Sequence, residues 1–344
     1  MRHILNTLYV MTPNAYVHLD NDTLRVEVEK ETKMRVPLHH IDSLVCFGDV
    51  MVSPGAMHRC ADDGRSVVLL DRNGRFKARL EGPVSGNILL RQAQFHAADN
   101  ANFTLNTAKA IVAGKLRNSR QVLLRGAREA SRDVDGAKLT EGAEALAAAI
   151  RNLPFATDVD VVRGIEGESA KVYFACLKYL VRGDGRESFA MNGRTRRPPR
   201  DRINSLLSFL YSMVMNDCRS ALEAVGLDPQ LGYLHAVRPG RAALALDLME
   251  EFRAILADRL ALTLINRGQI SANGFVDRPG GAVYLGDDAR KIVVIAYQER
   301  KQEEITHPLI DSKMPIGLLP MLQARLLART IRGETEGYLP YLSR

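Results

Sequence analysis

No apolar run in this 344-residue sequence is long enough to cross a bilayer. The longest of note, LLSFLYSMVM from Leu206, has ten residues, against the roughly 20 that a spanning helix needs, and reads as a buried helix. The opening stretch, MRHILNTLYVMTPNAYVHLDND, is broken by Asn6, Pro13 and Asn14 and shows no signal-peptide core. Cysteine is scarce: Cys46, Cys60, Cys176 and Cys218 have no Cys-x-x-Cys spacing and predict reduced thiols in a cytoplasmic protein. Also missing are the Gly-x-x-x-x-Gly-Lys-Ser/Thr phosphate loop, a Gly-x-Gly-x-x-Gly turn after a strand, a zinc-type Cys/His cluster and a Gly-x-Ser-x-Gly elbow. Those gaps set aside the nucleotide-loop, dinucleotide, zinc-cluster and serine-hydrolase classes. There is no internal repeat and no low-complexity tract. His39, His40 and His58 lack acidic partners at ligand spacing and read as structural.

What the chain does have is charge, unevenly placed. Its length predicts two domains with a real core, and 46% apolar residues is an ordinary globular composition. Residues 1–85 hold 11 basic and 11 acidic side chains; residues 86–344 hold 36 and 29 and so carry the whole net charge of +7. Arginine outnumbers lysine 36 to 11. The guanidinium fork suits two-pronged phosphate contacts, which makes nucleic acid a candidate partner, although many enzymes are modestly basic.

Residues 1–85 read as strands. YVHLDNDTLRVEV alternates around Asp20-Asn21-Asp22, and SVVLLDRNGRFKARL does so around Asp71-Arg72-Asn73-Gly74, where Asn-Gly is a strong hairpin signal. Between them, residues 53–64 fit one short helix with Ser53 as N-cap and Pro54 at the first helical position. EGPVSGN, residues 81–87, reads as a hinge. Beyond it the apolar period becomes helical, over 88–128, 141–153, 169–180, 202–226 and a long helix from Arg241 to Gly268. A short hairpin is expected within FVDRPGGAVYLGDDARKIVVIAY, and a last helix starts near Pro315, with Pro320 in its first turn or kinking it. The fold class is therefore α+β: a small β-rich N-terminal domain (1–85) followed by a larger all-helical domain (86–344).

Three local patterns stand out. In RGIEGESAKVYF, Glu166 lies between Gly164 and Gly167 just ahead of an expected helix. Either it sits in the first turn, where the helix dipole favours negative charge, or the glycines keep room for something to approach it. In LGYLHAVRPGRAALALDLMEEFR, His235 lies in a loop before a helix on which Asp247, Glu250 and Glu251 fall at i, i+3 and i+4, sharing one face beside an apolar stripe. That face is either solvated, or its repulsion is relieved by a divalent cation with His235 as a nitrogen ligand. In NGRTRRPPRDRIN, Arg194, Arg196, Arg197, Arg200 and Arg202 surround Pro198-Pro199, which favours an extended backbone. Such a loop suits phosphate contacts, or serves as a salt-bridged linker.

Taken jointly, RGIEGESAKVYF, RRPPRDRINSLLSFLYS, GLDPQLGYLHAVRPGRAALALDLMEEFR, QERKQEEITHPL and PIGLLPMLQARLLARTIRG resemble the CRISPR-associated adaptation integrase family. The stretch around His235 and the C-terminal third are most similar to the subtype C branch of type I systems, and the likeness runs over essentially the whole chain. It implies a metal site, for Mg²⁺ or Mn²⁺, formed by Glu166, His235 and Glu250, with Asp247 as a further acidic ligand. The third ligand is an aspartate in some members and Glu250 here. It also implies insertion of foreign double-stranded DNA fragments as new spacers in antiviral defence, with a 3′-hydroxyl attacking a phosphodiester at a CRISPR repeat. The implied partners are a second copy of the chain through the β domains, the small dimeric Cas-two protein and, in this subtype, a Cas-four nuclease. Arg163, Arg238, Arg241 and the five arginines of 194–202 are candidates for holding DNA, on charge and position alone. The competing readings are a non-catalytic DNA-binding scaffold, a nuclease acting on branched DNA, and a metal-dependent phosphoesterase for small substrates.

Overall fold

The computed structural model describes residues 6–80, 82, 88–183 and 185–343. The chain divides into two compact units, Met1–Ser85 and Gly86–Arg344. Except for Gly82, the expected hinge at 81–87 lies outside the described residues.

The first unit contains β1 (Thr7–Val10), β2 (Tyr16–Asp20), β3 (Thr23–Val28), β4 (Glu31–Pro37), β5 (Ser43–Phe47), β6 (Met51–Val52), α1 (Pro54–Asp62), β7 (Ser66–Leu70) and β8 (Phe76–Leu80). They form two four-stranded sheets, ordered β1-β5-β7-β8 and β4-β3-β2-β6. Both expected hairpins are present: β2 meets β3 with Asp20 opposite Thr23, and β7 meets β8 across 71–75. The parallel pairing of β1, β5 and β7 was not legible in the local pattern. Ser53 caps α1 by accepting from Ala56 N at 3.2 Å, and Pro54 opens the helix. One turn apart, Ala56 and Cys60 point into the same core as Val17, Leu24, Leu44 and Cys46. Burial pushes the Cys46 thiol up to about 12, so it behaves as a small apolar side chain. All four cysteines are free.

The second unit is helical: α2 (Ile88–Asp99), α3 (Ala101–Arg128), α4 (Asp133–Asn152), α5 (Val159–Leu180), α6 (Gly185–Ser188), α7 (Arg202–Val225), α8 (Ala243–Met249), a π-helical turn (Arg253–Asp258) and α9 (Arg259–Asn266). Then come the strand pair β9 (Phe275–Arg278) and β10 (Ala282–Leu285), α10 (Asp287–Gln302), the pair β11 (Glu304–His307) and β12 (Ser312–Pro315), and α11 (Leu319–Ile331). Side-chain caps start the long helices: Asn100 on α3, Asp158 on α5 and Asp201 on α7. α3 packs against α4 and α5, and α7 against α8 and α11. No described helix is long and apolar enough to cross a membrane.

The expected hairpin is present as β9–β10 and ends at Leu285; Asp287 and Asp288 open α10, where their charges face the positive helix end. Pro320 sits in the first turn of α11, one of its two expected places, and the pair β11–β12 lay outside the expectations. One expectation needs correction. The long helix from Arg241 is broken after Met249. Asp247, Glu250 and Glu251 are all buried, and each is matched to its own partners, as a buried carboxylate must be.

Glu251 anchors the C-terminal segment. It accepts from the Tyr338 hydroxyl, from Tyr341 N at 2.7 Å and from Gln323 Nε2 at 3.0 Å. Gln323 in turn touches His307 Nε2 at 3.2 Å. Asn118 donates to the carbonyls of Glu251 and Tyr341 and accepts from Ser343 N. Burial outweighs these bonds and raises the Glu251 carboxyl from 4.5 to about 7. The folded protein thus keeps a proton that the unfolded chain releases near 4.5, so this contribution is complete below 4.5 and lost as pH rises through 7. The melting temperature should fall between about pH 5 and about pH 8, and fall less in Glu251→Gln. Thermal melts followed by circular dichroism at matched ionic strength check this. The difference between the two proteins carries the Glu251 contribution, because burial also depresses His307 in the same cluster.

Candidate active site

Four segments of the helical unit meet at one place. Glu166 is the eighth residue of α5, so it lies mid-helix and not in the first turn or ahead of the helix. A Cβ built on Gly164 or Gly167 would meet nothing within 4 Å. Packing therefore requires neither glycine, although each costs about 1 kcal/mol of helix propensity against alanine. The room they leave is open to an approaching group.

From α3, Lys115 reaches across to Glu166 and stands 2.8 Å from Glu250 Oε2. Glu250 lies just past the end of α8, 2% exposed, with Arg253 NH2 3.1 Å from its other oxygen. Burial alone would raise the Glu250 carboxyl; Arg253, Lys115 and His235 overcome this and lower it to about 2. Glu250 Oε2 is within ion-pair distance of Lys115 but outside hydrogen-bond alignment. Lys115 and Arg253 were missing from the sequence reading. The signal available was a lone lysine set among the buried residues Ile111, Val112 and Leu116 of α3.

His235 comes from the loop between α7 and α8. The Asp247 carboxylate accepts from three successive amides, Tyr233 N at 2.6 Å, Leu234 N at 2.9 Å and His235 N at 2.9 Å, and lies 2.6 Å from His235 Nδ1. Gly232 permits this approach, since a Cβ there would lie 2.6 Å from Asp247 Oδ2 and 2.7 Å from the α8 backbone. Gln94 of α2 bonds both Asp228 and the Leu231 carbonyl, and Arg163 Nε donates to Leu234 O at 2.5 Å. Asp247 is therefore not placed as a ligand, contrary to expectation: both oxygens are spent on the loop behind His235. With Nδ1–H donated to Asp247, the ring is oriented so that His235 Nε2 faces Glu250 Oε1 at 3.7 Å.

The arginines divide into two groups. Arg196, Arg197, Arg200 and Arg238 are exposed, and among the described residues none of them, nor Arg241, forms an ion pair within 4 Å. Burial, then the charges of Arg238, Arg163 and Arg196, depress the Arg241 guanidinium, which places these four close together beside Asp247. Arg194 differs: it bonds Asn204 Oδ1 at 2.7 Å and Ser208 Oγ at 3.1 Å, with its guanidinium over the Tyr211 ring. Arg202 donates to Ser188 O at 2.9 Å. These two brace the loop and the start of α7, so their guanidinium groups, Arg194's above all, are partly committed to the fold. Glu251, facing the C-terminal segment, takes no part in the site.

Two carboxylates and an imidazole nitrogen are a donor set suited to Mg²⁺ or Mn²⁺. His235 Nε2 and a buried, incompletely bonded Glu250 point inward as such a cation requires. Among the described residues no three acidic, histidine or cysteine side chains close directly around one point. Lys115 holds the place between Glu166 and Glu250. The residues fit the ion, with the lysine standing in the position of a cation.

A profile of the family described as "CRISPR associated protein Cas1" matches residues 8–299. The chain is 57% identical to "CRISPR-associated endonuclease Cas1 1" of Moorella thermoacetica over 344 residues, all of both chains. Its fold matches a "Cas6-RT-Cas1–Cas2 complex" chain with TM-score 0.83 at 23% identity, covering 98% of this chain and 36% of that one. It also matches a "Casposase bound to integration product" with TM-score 0.82 at 21% identity, covering 97% and 92%.

Removing the Asp247 carboxylate strands three buried amides, each worth about 1–3 kcal/mol when left unpaired. Asp247→Ala should therefore lose roughly 3 kcal/mol or more of unfolding free energy, read as a lowered midpoint in urea titration. Asp247→Asn, which keeps one acceptor, should fall between it and the wild type.

Proposed function

Because the chain belongs to the Cas1 family of CRISPR-associated proteins, we propose that it is a metal-dependent DNA integrase that joins foreign DNA fragments into a CRISPR array. The observation that carries this reading is that Lys115 joins Glu166 to Glu250 while His235 Nε2 lies 3.7 Å from the same Glu250, with Arg238, Arg241 and Arg196 near enough to act on one another electrostatically. Glu166, Glu250 and His235 would hold Mg²⁺ or Mn²⁺. When bound, the ion supplies Lewis-acid polarisation of a phosphoryl oxygen and lowers the pKa of the attacking hydroxyl.

The chain's own residues supply the rest. Asp247 fixes the orientation of the His235 ring and so turns Nε2 toward the site. Arg196, Arg238 and Arg241 offer guanidinium donors to the DNA backbone, with Arg197 and Arg200 extending that surface along the loop. Gly164 and Gly167 let a phosphodiester come close to Glu166. In the joining step the fragment's 3′-oxygen forms a bond to phosphorus and loses its proton. The phosphorus bond to the flanking 3′-oxygen of the repeat strand breaks, and that oxygen is released as a hydroxyl. One phosphodiester replaces another, so no external energy source is needed; hydrolysis differs only in water being the attacker.

The partners proposed are double-stranded DNA, a second copy of the chain through the β-rich unit, the small Cas2 protein and, for the subtype C branch, a Cas4 nuclease. The Cas1–Cas2 neighbour supports the Cas2 pairing by fold.

Purified protein, its Cas2 partner, Mn²⁺, a short duplex and a repeat-bearing plasmid should yield covalently joined product. Glu166→Ala, His235→Ala and Glu250→Ala should each lower joining by about a hundredfold or more, with duplex binding kept within a few-fold. Variants that join normally would leave the scaffold reading. Duplex affinity should drop steeply with added salt, and Arg196→Ala or Arg238→Ala should flatten that slope by about one counterion each. A salt-independent interaction would contradict a phosphate grip.

A further inference from the structure

Lys115 has no role in the chemistry above, yet it sits at its centre. Its side chain is 9% exposed, and its ammonium contacts carboxylates from two different segments, Glu166 of α5 and Glu250 after α8. A buried ammonium is costly unless paired, and so are two carboxylates brought together without a cation. Each side of this contact therefore requires the other. The pairing is incomplete: Glu250 Oε2 lies off the line of a hydrogen bond, and His235 Nε2 stands 3.7 Å from the other oxygen of the same carboxylate. Geometry of this kind favours a small, doubly charged ion over an ammonium.

We propose that Lys115 is an internal counter-ion for the position that, on the reading of the preceding subsection, a divalent ion takes. Without the ion its ammonium neutralises Glu166 and Glu250 and holds α3, α5 and the turn after α8 together. Binding of the ion exchanges one cation for the other, and the ammonium withdraws from both carboxylates. A small cavity beside Lys115, with room for about one water, is edged by Ser119, Ser169, Tyr173 and Asp258 as well as by Arg253. The Ser119 and Ser169 hydroxyls and the Asp258 carboxyl offer the displaced ammonium oxygen partners there. Two properties follow. The site keeps its shape when metal is scarce, and its affinity is set below that of the bare ligands, because each ion must displace a charge already in place.

Calorimetric titration of Mn²⁺ into the full chain without DNA tests this, comparing wild type with Lys115→Met, which keeps the length and apolar stem of the side chain. The variant should bind Mn²⁺ about tenfold or more tightly, since a repelling unit charge is gone from the site. Its metal-free melting temperature should be lower than that of wild type, and the upward shift on adding Mn²⁺ larger. Lys115→Gln, neutral but able to hydrogen-bond, should show the same order if Lys115→Met does not fold. Equal or weaker Mn²⁺ binding by the variants, with clear binding by wild type, overturns the exchange and leaves the metal site standing. No Mn²⁺ binding by any of the proteins overturns both. Glu250→Gln should abolish binding in either background.

Discussion

A buried carboxylate that accepts three consecutive backbone amides and orients an imidazole is the constraint on which the catalytic geometry rests. The loop carrying His235 has no helix or sheet ladder of its own. Asp247 supplies the acceptors that its amides would otherwise lack, and so converts an irregular segment into a fixed one. Gly232 is part of the same arrangement, because only the absence of a side chain lets the loop close onto α8. The imidazole inherits its orientation from that closure. A loop so held can present a nitrogen ligand as rigidly as a helix would.

Charge is kept apart by the backbone as much as by distance. Glu250 and Glu251 are neighbours in sequence, yet one faces Lys115 and Arg253 while the other lies among Tyr338, Tyr341 and Gln323. Their carboxyls shift in opposite directions, one depressed by cations and one raised by burial. A π-helical turn follows at Arg253–Asp258. It brings Asp258 beneath the site, where it accepts from Tyr173 at 2.8 Å and Tyr211 at 2.7 Å.

Much of this was legible in the sequence where local chemistry decides the outcome. The Ser53-Pro54 start of α1, the β2–β3 and β7–β8 hairpins, and the helical period from Ile88 onward depend on neighbours within a few residues. What escaped depends on partners distant in sequence. The parallel ladders β1-β5-β7 pair segments that give no mutual local signal. Helical spacing placed Asp247, Glu250 and Glu251 on one face; it gave no sign that α8 ends at Met249 or that Glu251 faces the C-terminal segment. Arg194 and Arg202 looked like the rest of their loop until packing drew them inward. Lys115 could not be singled out, because nothing near it in α3 foretells two carboxylates from elsewhere.

Gly164 and Gly167 carry a consequence for how this molecule tolerates change. Both sit mid-helix against empty space, where alanine would gain about 1 kcal/mol of helix propensity at each position. Folding and recognition are therefore opposed at this point of α5. A screen for heat resistance would favour methyl groups there, while every methyl group would narrow the approach to Glu166. The chain stays softer than it could be along the face of α5 that leaves Glu166 accessible.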